Sequence, residues 1–92
     1  MTTLLFVRHQ VGNYDQWRRA YDGFAPVRSQ YGVTGDEVFR GSEDRNDITV
    51  VHQFADLPSA QRFVESEELA SAMATAGVLG EPTIWFADPA KR

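Results

Sequence analysis

Ninety-two residues with 42% hydrophobic and 24% charged content describe an ordinary globular chain near the lower end of the size range for one independent domain. Nine Lys plus Arg against thirteen Asp plus Glu leave a formal charge of −4 with no basic stripe, which argues against a nucleic-acid partner. The absence of cysteine removes disulfides, thiolate metal ligands and a Cys nucleophile.

Residues 1–7 lack a basic leader and carry only a short apolar run, so neither a signal peptide nor the ~20 apolar residues of a membrane span is expected, and a cytoplasmic location is the default. A single domain over residues 1–92 is the only sensible division. A chain this short buries roughly 60 to 65% of its unfolded surface, so its own core is thin and an oligomeric interface would add stability.

Thr3 to His9 is a short apolar run suited to a strand. Asn13 then looks like a helix N-cap, with Gln16 placed to reach back to it. Trp17, Tyr21 and Phe24 recur at helical spacing, continued by Val27 and Tyr31, and this stripe reads more simply as core than as pocket. Pro26 lacks an amide and Gly23 is a poor helix former, so a bend is predicted between them; Gly32 can take the left-handed cap.

Val33 to Arg40 reads as a second strand, made irregular by Gly35, and Ile48 to Phe54 as a third. The turn chemistry of Gly41 to Asn46 joins them as an antiparallel hairpin, and it explains the acidic residues there better than a calcium loop does. Asp56 caps a helix with Pro58 in its first turn and Ala60, Phe63 and Val64 facing inward. Ser66 looks like a second cap, followed by Leu69, Ala72, Met73 and Ala76 at helical spacing, and Gly77 ends the unit. Pro82 to Ala87 is a last strand whose leading proline suits a sheet edge.

The order βαββαβ predicts an α+β fold, a ferredoxin-like plait whose four-stranded antiparallel sheet has strand order 4-1-3-2 and both helical units on one face. The other face is left bare. Yet the strands carry apolar residues at both parities: Leu4 and Phe6 alternate with Leu5 and Val7, and Ile84 and Phe86 alternate with Trp85. A sheet that reads apolar on both sides is covered on both sides, so a homodimer through the bare face is expected.

Val11-Gly-Asn-Tyr-Asp-Gln-Trp17, Phe24-Ala-Pro-Val-Arg28, Val51-His52-Gln-Phe54 and Ser66-Glu-Glu-Leu-Ala-Ser-Ala-Met73 through Ala76-Gly-Val78 resemble small bacterial proteins of the dimeric α/β-barrel superfamily, relatives of the antibiotic-biosynthesis monooxygenases. The resemblance spans nearly the whole chain. It implies a dimeric α/β barrel and, among the varied reactions of that superfamily, a cofactor-free monooxygenase or cyclase acting on a small aromatic or polyketide-like compound.

His9 and His52 are the only side chains that titrate near neutrality unperturbed, so a general base is sought there, preferably at His52; both could equally be hydrogen-bonded structural residues. Both could look into the cavity between two packed sheets, and whether they share a face depends on a strand register that one residue of slip would reverse. Phe39 and Trp85, on the presumed edge strands, could stack a flat ligand at the mouth of that cavity, and Arg8 or a tyrosine hydroxyl could hold an enolate or phenolate oxygen. The histidines lack metal-ligand spacing, neither helical unit offers a haem ligand, and no nucleotide or flavin motif occurs, so no metal and no cofactor are expected. A non-catalytic dimer that binds a ligand or serves in stress stays open beside the enzyme.

Overall fold

The structure, a computed structural model, describes residues 2–90. Its elements run β1 (Thr3–Val11), α1 (Tyr14–Gly23), α2 (Ala25–Gln30), β2 (Val33–Arg40), β3 (Asp47–Phe54), α3 (Leu57–Val64), α4 (Glu67–Ala76) and β4 (Val78–Ala87). The strands form one antiparallel sheet in the order β2-β3-β1-β4, and the helices lie on one face of it. This is the expected ferredoxin-like α+β plait.

The predicted caps hold. The side chain of Asn13 accepts from the Gln16 amide at 2.9 Å, Asp56 from the Ser59 amide at 2.9 Å and Ser66 from the Leu69 amide at 3.2 Å, each satisfying a donor that a helix start leaves free. Gln16 does not reach back to Asn13. Its amide donates instead to the carbonyl of Thr75 at 3.2 Å and ties the start of α1 to the end of α4. The predicted bend is a full break at Phe24, with Pro26 in the first turn of α2 where its missing amide costs nothing.

Two strands are irregular, and one of them departs from expectation. The β2–β3 register slips between Val33 and Gly35, the irregularity anticipated from that glycine. β4 begins at Val78 rather than Pro82. Gly80-Glu81-Pro82 reads as a turn in sequence, but Gly80, with φ of 68°, lets the edge strand bulge opposite His9 and continue, because an edge has no neighbour on its outer side to lose.

The core forms two clusters between sheet and helices. One gathers Leu5, Val7, Phe54, Ala60, Phe63 and Leu69; the other gathers Val11, Trp17, Ile48, Val50 and Ala76. Phe63 anchors the first, with its ring 5.3 Å from His52, 5.6 Å from Tyr31, 5.7 Å from Phe54 and 6.1 Å from Phe24. On the opposite face, Leu4, Phe6, Val51 and Trp85 form an apolar surface with no element over it, and Phe6 stacks on Trp85 at 5.1 Å.

Candidate active site

Strand parity decides where the candidate residues point. On β1, Thr3, Leu5, Val7, His9 and Val11 are buried beneath the helices, while Arg8 and Gln10 are exposed on the other face. On β3, Ile48, Val50, His52 and Phe54 are buried in the same way. Both histidines therefore look into the space between sheet and helices of one chain, which corrects the expectation that they face a cavity between two sheets. The polar alternation Arg8, Gln10 and Thr49, Gln53 carries this signal in sequence.

That space is a cavity of about 50 Å³ at the seam between the two core clusters. Its walls are almost wholly apolar, contributed by Val7, Val50, Trp17, Phe24, Phe63, Leu69 and Met73, with His9, His52, Tyr21 and Arg28 as the polar members. Ala20, Phe24 and Ala72 also line a wide open groove between α1, α2 and α4, so the cavity and the groove share a wall. The stripe Trp17, Tyr21, Phe24 is thus the wall of a pocket as well as core.

His9 and His52 do not form a pair. Leu5 lies opposite His52 and Ile48 opposite His9, so the two rings sit four positions, roughly 13 Å, apart along the strands. Each is held by aromatic contact alone: His9 against Trp17 at 5.8 Å, His52 against Phe63 at 5.3 Å and Tyr21 at 6.1 Å. All four imidazole nitrogens are buried without a hydrogen-bond partner among the described residues. A satisfied structural histidine would have one, since an orphaned buried polar atom costs on the order of 1–3 kcal/mol. These atoms are available to a ligand.

His52 is 4% exposed, and burial, reinforced by the positive charge of Arg28 and only partly opposed by Asp36, pushes its pKa down to about 4. Burial also lowers that of His9, against a smaller opposing pull from Asp47. Both rings are neutral at pH 7, the form that can accept a proton.

Sequence reasoning missed Arg28. It lies one turn beyond Phe24 on the same helical stripe and is only 8% exposed, an unusual state for an arginine. Its guanidinium covers the Tyr21 ring at 3.9 Å and donates through Nη1 to the Tyr21 carbonyl. No carboxylate lies within 4 Å of it among the described residues. Asp36 on β2 is exposed and accepts from the Tyr21 hydroxyl, and burial and that bond together raise the Tyr21 pKa.

The remaining candidates lie elsewhere. Arg8 is on the bare face, where its Nε and Nη2 grip Asp47 at 3.0 and 2.6 Å, so it cannot reach a ligand held beside His52. Phe39 and Trp85 are also on that face, 50% and 41% exposed, on opposite edges of the sheet. The structure does not bring either of them to the histidines. Among the described residues, no three His, Cys, Asp or Glu side chains cluster as a metal site would need, and no helix is long and apolar enough to cross a membrane.

Solved structures with this fold include a Bordetella bronchiseptica protein named as a candidate antibiotic biosynthesis monooxygenase, 13% identical, covering 97% of each chain with a TM-score of 0.84. They also include SnoaB, a cofactor-independent oxygenase from Streptomyces nogalater, 12% identical, covering 98% of this chain and 96% of that one with a TM-score of 0.74. Comparison with curated protein sequences finds no match. The sequence pattern of the antibiotic biosynthesis monooxygenases matches residues 2–75, most of the helix-covered sheet and all the polar residues of the cavity, and the chain belongs to that family.

Proposed function

We propose that the protein is a cofactor-independent monooxygenase that oxidises a flat, apolar, oxygenated small molecule in the cavity between sheet and helices. The observation that carries this reading is the neutral, orphaned imidazole of His52 in an apolar pocket. Family membership and the likeness to SnoaB, itself a cofactor-independent oxygenase, support it.

His52 takes a proton from an acidic methylene carbon of the substrate, or from the hydroxyl of the phenol that is its enol tautomer; both give the same delocalised anion. The resulting carbanion gives its electrons to molecular oxygen; one oxygen atom becomes the new carbonyl and the other leaves as water, so that CH₂ and O₂ become C=O and H₂O. Apolar walls exclude solvent from the anion. Phe39 and Trp85, with Phe6 and Leu4, serve a homodimer formed through the bare sheet face rather than the chemistry. Burial of that apolar surface supports the dimer, since a monomer would leave it in water.

Oxygen uptake with a panel of quinols and polyketide-like β-dicarbonyl compounds tests the enzyme. The wild type should turn over at least one of them, and His52→Ala should lower kcat by about 10² to 10⁴. Turnover that survives unchanged in the variant removes His52 from the base role.

A second reading, a ligand-binding protein without turnover, rests on the same orphaned nitrogens, which serve binding without requiring chemistry. The cavity of about 50 Å³ is roughly a third of the volume known to admit benzene, so in either reading a ligand with even one ring requires the cavity to widen. Absence of oxygen uptake across the panel, with binding retained, supports that alternative.

A further inference from the structure

We propose that Arg28 is a ligand-recognition residue and that the cavity takes a small apolar compound bearing a carboxylate, which meets the guanidinium beside His52. The inference rests on the same cavity being the binding site. It adds the charge and chemistry of what binds.

Three observations converge on it. Arg28 is an arginine more than nine-tenths buried, and no carboxylate stands within 4 Å of it among the described residues. A buried cation normally has a counter-ion, because desolvation is costly and an uncompensated charge recovers little of it. The neighbours cannot supply that charge. His52 is neutral, Tyr21 keeps its proton through burial and its bond to Asp36, and Asp36 is exposed and screened by water.

The second observation is the fork itself. Of the guanidinium's five N–H groups, one is directed at the Tyr21 carbonyl, and its face is braced on the Tyr21 ring at 3.9 Å. A planar cation held by its face and one edge is oriented before any ligand arrives, and the geometry it matches is the two oxygens of a carboxylate. The third is the orphaned pair of nitrogens on His52, which lines the same cavity; the one that carries the proton of the neutral ring can donate to a carboxylate oxygen.

The rest of the lining selects the body of the ligand. Trp17, Phe24 and Met73 line the cavity with mostly apolar surface, the indole N–H of Trp17 being the one strong donor among the three. Beyond them Ala20 and Ala72 lead to the groove, whose acidic rim of Glu67 and Glu68 repels a second negative charge. One carboxylate on an apolar body is therefore the match.

Benzoate and benzamide, alike in shape and different in charge, make the test; both need the cavity of about 50 Å³ to widen by the same amount, so the difference between them reports charge alone. Calorimetric titration of the wild type should show benzoate binding at least about tenfold more tightly, and Arg28→Met should erase that preference while Arg28→Lys keeps part of it. In the wild type alone, benzoate should shift the ring-proton resonances of His52 in the NMR spectrum, with those of His9 moving less. The chain has only two histidines, so their signals separate readily.

Equal binding of the pair, no binding of either, a preference that survives Arg28→Met, or shifts that leave His52 untouched would each overturn the assignment. The wild-type measurements stand even if the Met variant fails to fold. Selective benzoate binding without oxygen uptake on any substrate upholds this inference and defeats the oxygenase reading; oxygen uptake with no carboxylate preference does the reverse.

Discussion

Acid should destabilise this protein well above the range where carboxylates titrate, and His52 should be the main cause. Its pKa falls from 6.5 to about 4 in the folded chain, chiefly by burial and then by Arg28. The unfolded chain therefore binds the proton first, between those two values. Stability is complete above pH 6.5 and drains away as pH falls toward 4. A shift of this size is worth about 2 kcal/mol between pH 7 and pH 5 and about 3 kcal/mol in full. Because the ring is 4% exposed, water screens little of it. His9 adds in the same direction, while Asp47 and Asp56, whose pKa values are lowered below 3.8 by Arg8 and by the Ser59 amide, stay ionised throughout that window. Urea unfolding at fixed protein concentration, at intervals from pH 7.5 to 4.5, measures the effect in the wild type and in His52→Leu, which fills similar space without titrating. Packing changes move the variant's curve up or down; only the lost proton site changes its slope. The variant should lose about 2 kcal/mol less than the wild type between pH 7 and 5. Parallel curves would refute the account of His52 as a buried, partnerless base.

Three further outcomes follow from the packing. Phe63→Ala removes a fully buried ring that touches four other aromatic rings and should cost about 3–5 kcal/mol in the same unfolding assay; a loss below about 1 kcal/mol would mean the site collapses freely. Trp85→Arg places a charge on the apolar bare face beside Phe6; if the wild type sediments as the proposed dimer at micromolar concentration, the variant should sediment as a monomer with its helical circular dichroism intact. A wild type that sediments as a monomer would defeat the dimer directly. Gly77→Ala forces a side chain into a left-handed cap with φ of 79°, against Gln16, and should cost about 1–2 kcal/mol of stability, read as a lower midpoint in thermal unfolding.

Much of the scaffold is legible in the chain itself, because its signals are local. Asn13, Asp56 and Ser66 cap the helices they precede, Gly32 and Gly77 take positive φ where helices stop, and β-branched and aromatic residues mark Ile48 to Phe54 as a strand. Element order and the right-handed crossover then leave few topologies, and the observed β2-β3-β1-β4 order is among them. The apolar residues at both parities of β1 and β4 likewise mark a second hydrophobic face by their alternation alone. Gly80-Glu81-Pro82 misleads, since the same residues serve a turn or an edge bulge, and only the pairing partner distinguishes them.

The site was legible as to residue type and not as to place. His9 and His52 stand out as titratable groups, but which wall they belong to depends on which face of the sheet the helices cover, and one position of slip would have reversed it. Tertiary packing put them beneath the helices and left Arg8, Phe39 and Trp85 outside. Arg28 could not be singled out at all by its type, because an arginine at the end of a helix is ordinarily solvated. What sets it apart is that it is 8% exposed with no carboxylate beside it among the described residues, a property of the enclosing elements rather than of any one segment. Local chemistry along the chain determined the fold and its spare apolar face, while the balance of charge and solvent in the cavity, set by contacts among distant residues, was decided only when the chain closed on itself.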